Sequence, residues 1–514
     1  METTAQAPWS KESGAGASRA RFPEQAGTAL RWAAALVAAL YLGFALVQMS
    51  GRVAYPYQLD FYEGVLLHHA QTIEHGGLPY ASSTTLPWVP HIYGPVYPAL
   101  WAALIPIGGA ESFWPGRVVA VVGLLLAAAC LVLLVRRLSG QWLAALVAAG
   151  VFLWFPAVRD WTALARVDTV AVGLALAGFA TFVLGPPRAR VWGTLLFVLA
   201  VSTKQTMLAA PLAAYLALYF QGERRSAALH LALFFGLVLV AGASLQFASH
   251  GGFLRDTVLC PMNKWDWDRA HHNFTRFLMD GPLLLGVALA LAVAALGDRR
   301  YRALGLYLFL ALGVASTVGK VGSAPNYFLE PVAVAAVLLG LALGQAPLSR
   351  PGALVGATLM PALVLTQLAL MWAPPTLSQP HGQWLGDSRL MELVRAQPGE
   401  VLSVHMGAVV QTGKTLWLEP FVATQMAEAG RWDQQPLLQM IREHRFGLVV
   451  MGKQRDGDLV GEWWGPEEWT AEGARTILSN YHITQVIGGR VQANSDLVLL
   501  EPNAPPGAPP PPRP

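Results

Sequence analysis

Two carboxylates, Asp60 and Glu63, stand three residues apart in the stretch Leu59-Asp60-Phe61-Tyr62-Glu63-Gly64, directly after a long apolar run. A carboxylate can take the proton of an attacking hydroxyl as a general base, a role that demands near contact with the reacting oxygen. A plainer reading stands beside it. Asp-x-x-Glu ahead of Val65, Leu66, Ala70 and Ile73 has the form of a capping box on an amphipathic surface helix. The two readings are compatible, since a carboxylate fixed at a helix start is also well positioned. Tyr55, Tyr57, Phe61 and Tyr62 read either as interfacial belt residues or as a wall on which a sugar stacks.

Cations recur downstream. Arg166-Val167-Asp168 is either a local ion pair with an Asp N-cap for the next apolar run or part of a charged site. Lys204 interrupts thirty apolar residues, where an ammonium either snorkels outward or needs water or an anion for company. Lys320 precedes Asn326-Tyr327-Phe328 in a segment that also reads as a simple Gly/Pro loop. Arg52, Arg159, Lys264 and Arg269, with His91, His271 and His272, complete the set, and the adjacent histidines lack metal-ligand spacing. Cations mixed with Asp60, Glu63, Asp168, Asp266 and Asp268 suit a substrate that joins an anionic phosphate to polar hydroxyls.

Composition decides what holds these residues. The 514-residue chain is 54% hydrophobic and 13% charged, about half the charge of a soluble domain. A transmembrane helix takes about 20 apolar residues, and such runs lie near residues 29–49, 117–135, 141–157, 168–184, 191–203, 206–220, 227–247, 281–297, 303–318, 326–344 and 351–371. The reading is a polytopic α-helical membrane protein with about eleven transmembrane helices. The net charge of +4 is small and its basic residues sit in short loops, which gives no support to nucleic-acid binding. Cys130 and Cys260 are the sole cysteines, too few for a disulfide framework or a thiolate metal site.

Charge placement sets the expected topology. Residues 1–28 read as a cytoplasmic tail and 29–372 as the membrane domain. With the N-terminus inside, Arg136-Arg137, Arg188 with Arg190, Arg224-Arg225 and Arg299-Arg300 with Arg302 all fall on the cytoplasmic side. This requires that Tyr93 to Ile107, broken by Pro95, Pro98 and Pro106, does not cross, so residues 51–116 form an outer loop with surface or re-entrant helices. It also requires two short helices hinged at Lys204, because one helix over Val191 to Phe220 would span about 45 Å against a core of about 30 Å. Residues 383–502 show soluble patterns: strands at Val401–Val404, Phe446–Met451 and Leu497–Leu500, and helices at Ser388–Ala396 and Pro436–His444. They predict a small extracytoplasmic α/β domain, followed by a Pro-rich disordered tail at 503–514.

Taken together, Asp60 with Glu63, Gly76-Gly77-Leu78-Pro79-Tyr80 and Tyr93-Gly94-Pro95-Val96-Tyr97-Pro98 resemble the first outer loop of the GT-C glycosyltransferases. These polyprenyl-phosphate-sugar-dependent membrane enzymes include the protein O-mannosyltransferases and the lipid A aminoarabinose transferases. Ala165-Arg166-Val167-Asp168, Thr203-Lys204-Gln205-Thr206, and Lys320-Val321-Gly322 with Asn326-Tyr327-Phe328 resemble further blocks of bacterial members. The resemblance covers roughly residues 30–345.

It implies a GT-C-like fold and transfer of a sugar from a polyprenyl-phosphate donor to a hydroxyl on a cell-envelope glycan, lipid or protein. The reaction would take place on the outer face of the plasma (inner) membrane. Asp60 is the implied base and Glu63 the second catalytic carboxylate, although the mannosyltransferases have adjacent Asp-Glu and here Glu63 is one helical turn on. Arg166, Lys204, Lys320 and His91 are the implied phosphate ligands, His91 standing where the aminoarabinose transferases carry a lysine. Asp168, Tyr93, Asn326, Tyr327 and Gln205 are the implied substrate contacts. A divalent metal on Asp60 or Asp168 is the one cofactor the resemblance admits, since some relatives use one and others do not. The alternative class, a lipid or polysaccharide transporter or flippase, predicts internal repeats and midplane charges, and neither is present in the sequence.

Overall fold

The computed structural model describes residues 13–345, 351–375, 381–454, 464–465, 467–488 and 495–503. Backbone polar groups in an apolar setting must bond within their own segment, so apolar runs become helices. α1 (Ser13–Ala54) starts inside the segment expected to be a polar tail. Then come α2 (Glu63–Glu74), α3 (Val96–Ala102), α4 (Ile105–Gly108), α5 (Trp114–Ser139), α6 (Trp142–Trp154), α7 (Pro156–Trp161) and α8 (Asp168–Leu184). The bundle continues with α9 (Arg190–Val201), α10 (Ala209–Phe220), α11 (Arg224–Ala248), α12 (Gly252–Leu254), α13 (Trp267–Asp280), α14 (Pro282–Gly297), α15 (Arg302–Ala315), α16 (Leu329–Gln345) and α17 (Pro351–Leu370). Every apolar run named above is largely helical, the run at 141–157 being split between α6 and α7.

The number of crossings is less uniform than the count of runs. Among the described residues five helices are long and apolar enough to cross a bilayer, and six if α13 and α14, bent by 91°, form one broken span. α6, α8, α10 and the described part of α17 are shorter apolar helices. As expected, the run around Lys204 breaks, into α9 and α10. The segment from Tyr93 to Ile107 holds just the short helices α3 and α4. The basic turns gather at one end of the bundle. Arg190 pairs with Glu223 at 2.6 Å, Arg300 donates to the Leu138 carbonyl, and Arg302 donates to that of Phe220.

The C-terminal part comprises α18 (His381–Ala396), β1 (Glu400–Ser403), α19 (Met406–Gln411), α20 (Pro420–Glu428), α21 (Gln435–Arg442), β2 (Phe446–Gln454), α22 (Ala471–Asn480), β3 (Tyr481–Ile487) and β4 (Ser495–Pro502). Its sheet runs β1-β2-β4-β3, with β1 parallel to β2 and the other pairings antiparallel. The three anticipated strands and two helices are present, while α19, α20, α22 and β3 were not anticipated. The expected disordered tail lies outside the described residues beyond Asn503.

This domain is docked on the first loop. One apolar cluster joins Tyr62, Val65 and Leu66 to Leu390, Met406, Val409 and Val450. Tyr55 donates to Asp387 at 2.7 Å, and the Gly407 amide donates to Gln58 at 2.6 Å.

Candidate active site

The loop that carries Asp60 is fastened from below by a residue with no sequence signal, Arg117. Its guanidinium donates to both oxygens of Glu63, at 3.0 and 2.7 Å, and to the carbonyls of Arg52, Tyr55 and Tyr57. Glu63 and Arg117 are both fully buried. Glu63 also accepts from the amides of Leu59, at 2.7 Å, and Ala165, at 2.6 Å. Its acceptor capacity is therefore used within the fold, and it does not line the cavity described below. The expected catalytic role for Glu63 is corrected to a positioning one.

The capping-box reading is corrected as well. α2 begins at Glu63 itself, with Tyr62 as N-cap and no side-chain cap bond. Asp60 Oδ1 instead accepts from the Tyr62 amide at 3.0 Å, closing a turn immediately ahead of the helix. Asp168 likewise opens α8 as its first residue and makes no cap.

Freed from capping, these acids meet the cations. Arg166 Nη1 lies 2.8 Å from Asp60 Oδ1, and its guanidinium sits over the rings of Tyr62, Phe61 and Trp161. Asp168 Oδ1 takes Lys204 Nζ at 2.6 Å and Asn326 Nδ2 at 2.8 Å, and Oδ2 takes the Trp161 indole at 2.9 Å. The break between α9 and α10 is what brings Lys204 to this carboxylate. Lys320 donates weakly to the Pro261 carbonyl, at 3.4 Å, and pairs with no carboxylate among the described residues. The cluster therefore carries one cation in excess.

These groups face one cavity of about 410 Å³. Asp60, Tyr93, Arg166, Lys204, Gln205, Lys320, Asn326 and Tyr327 all line it, and Asp168 lies buried behind Lys204. Both bonds to Asp60 fall on Oδ1, and Oδ2 has no hydrogen-bond partner among the described residues. Burial raises the Asp60 carboxyl above its ordinary value, against the pull of Arg166. Gln205 and Asn326 spend their amide groups on the protein, while their buried side-chain oxygens have no partner among the described residues.

His91 is placed elsewhere. It is fully buried against His69, bonds to the Gly94 carbonyl at 3.1 Å, and does not line the cavity. Burial holds its imidazole down at about 4. Neutral and out of reach, it is no phosphate ligand, and that expectation is corrected. A metal fits Asp168 poorly, because both of its oxygens are already taken by Lys204, Asn326 and Trp161, and the open Oδ2 of Asp60 is a single oxygen. Among the described residues no three His, Cys, Asp or Glu gather as a metal-ion set.

A second, apolar groove of about 500 Å³ adjoins the cavity and shares Gln205, Thr257 and Val258 with it. α11 supplies much of its wall, including Val238, Leu239, Gly242 and Leu245. Trp161, Phe421 and this groove were not foreseen. The indole and the phenyl ring carry no charge to mark them, and the groove needs two helices side by side.

No protein-family model and no curated protein matches the sequence. Solved structures do match its shape. ArnT from Cupriavidus metallidurans superimposes in its apo state with a TM-score of 0.58 at 13% identity, over 90% of this chain and 97% of that one. The same protein bound to undecaprenyl phosphate gives a TM-score of 0.56 over the same shares, again at 13% identity. The Archaeoglobus fulgidus oligosaccharyltransferase tethered to an acceptor peptide gives 0.51 at 12% identity, over 88% of this chain and 72% of that one. The chain is a helical membrane protein with the GT-C fold and a small C-terminal sheet domain.

Proposed function

We propose that the protein is a glycosyltransferase that moves a sugar from a polyprenyl-phosphate donor to a hydroxyl acceptor, with Asp60 as general base. The supporting observation is the meeting of Asp60 with Arg166, Lys204 and Lys320 in a cavity that opens beside an apolar groove. The prenyl chain takes the groove and the phosphate takes the cationic cavity. The acceptor oxygen attacks the anomeric carbon while Asp60 Oδ2 receives its proton. The bond from that carbon to the phosphate oxygen breaks, and polyprenyl phosphate leaves with its charge held by the three cations. The leaving group is already a stable anion, so one base suffices without a paired acid.

The fold supports this reading, and so does the undecaprenyl phosphate named for the Cupriavidus protein. The domain bounds and topology expected from the sequence belong to the same proposal. The basic turns face the cytoplasm; the cavity and C-terminal domain lie outside the plasma membrane.

Binding of undecaprenyl phosphate to the purified protein in nanodiscs, followed by native mass spectrometry, tests it. The parent protein is expected to bind undecaprenyl phosphate and to discriminate against undecaprenol. Lys320→Met should weaken binding roughly tenfold, the loss of one charge-assisted contact. Equal retention of the phosphate and the alcohol would contradict the assignment.

A further inference from the structure

Part of the cavity wall comes from far along the chain. α20 opens with Pro420, and the next two residues, Phe421 and Val422, both line the cavity. Its start is held firmly. Glu419, fully buried, caps the helix by accepting from the Val422 amide. Just before it, the Trp88 amide donates to the Trp417 carbonyl at 2.9 Å, and Leu418 bridges to Trp88. Salt bridges from Arg269 to Glu467 and from Lys264 to Glu428 tie the domain to the segment after α12.

Phe421 is wedged between two elements of the membrane domain. Its ring centre lies 6.5 Å from that of Phe61, the residue next to Asp60. On its other side Gly322 adopts φ +81°, and a Cβ built there would come within 2.3 Å of Phe421 Cζ. Glycine at 322 is thus what lets the ring seat. A pair of touching aromatic rings beside the base narrows the route to it, and rings of this kind favour the apolar face of a cyclic ligand.

We propose that Phe421 is a specificity-determining residue for the acceptor: the C-terminal domain, through this ring, sets how large a hydroxyl-bearing group can reach Asp60. This rests on the transferase reading of the cavity. The acceptor class it implies is a slim ring or branch end, admitted along the ring faces, with bulkier groups turned away.

Cys260 provides a built-in reporter. It lines the same cavity, is 2% exposed, and belongs to the cluster against which Phe421 packs. Burial pushes its thiol up to about 12, which keeps it slow to react. In a Cys130→Ser background, Cys260 would be labelled with a small anionic methanethiosulfonate and with a bulky polyethylene-glycol maleimide. Phe421→Ala is expected to speed the small reagent roughly tenfold while leaving the bulky one slow, and Phe421→Tyr to restore the parent rate.

No acceleration with the small reagent overturns the proposal. Acceleration of both reagents also overturns it, because it means that the ring merely holds the domain down. Failure of the parent protein to bind undecaprenyl phosphate overturns the transfer reading, and with it the acceptor role, even where the labelling pattern is obtained.

Discussion

Asp60 and Glu63 illustrate how two identical charges in one loop acquire different work. Glu63 neutralises a fully buried arginine and holds the loop in shape. Removing one partner of such a pair costs about 3–5 kcal/mol, so Glu63→Ala should lower the thermal unfolding midpoint and the abundance of the protein. Asp60→Asn, which keeps an oxygen for Arg166 and the Tyr62 amide, should leave both near the parent values. Arg166 gives a prediction with a sign. Burial raises the Asp60 carboxyl and Arg166 opposes that rise. The base works deprotonated, so activity climbs as pH rises through the Asp60 value. Arg166→Gln should therefore move the acid limb of the rate profile to higher pH, by about one unit or more, in addition to lowering the rate. A limb that stays in place would show that Asp60 is not the titrating group. Asp60, Arg166 and Lys204 were legible in the sequence because charge is costly in an apolar context. Glu63 was misread because its partner, Arg117, lies 54 residues away and spacing alone cannot reveal the pair.

At the scale of elements, the close approach of the first loop to the break between α9 and α10 positions both Tyr93 and Lys204. Gly94 is the contact point: a Cβ there would stand 1.8 Å from the Ser202 carbonyl oxygen. Backbone cannot yield as a side chain can, so Gly94→Ala should cost stability and shift Lys204 away from Asp168. The checks are a lowered unfolding midpoint and weakened undecaprenyl phosphate binding. The long helices could be read from their apolar runs, and the break was readable because one helix would overshoot the bilayer. β3 was missed for a physical reason. Most of its residues are exposed or half-buried, so it lacks the alternation that marks a half-buried strand. α19 and α20 are six and nine residues long, too short for helical periodicity to emerge.

The whole molecule is a helical bundle with its cationic pocket at one end and its basic turns at the other, roofed by a domain that reaches back to the first loop. Phe421 and Asp60 are neighbours in space across 360 residues of chain, and no local pattern could have joined them. The account stands on proton transfer to Asp60. Asparagine at that position keeps an oxygen to accept from Arg166 and the Tyr62 amide, so the loop should hold its form while the base is lost. The most direct measurement compares Asp60→Asn with the parent in a deletion strain, scoring the glycoconjugate that the deletion removes. The account predicts transfer reduced by about 10²–10⁴-fold, with normal abundance and undecaprenyl phosphate binding; full restoration of the glycoconjugate by Asp60→Asn would contradict it.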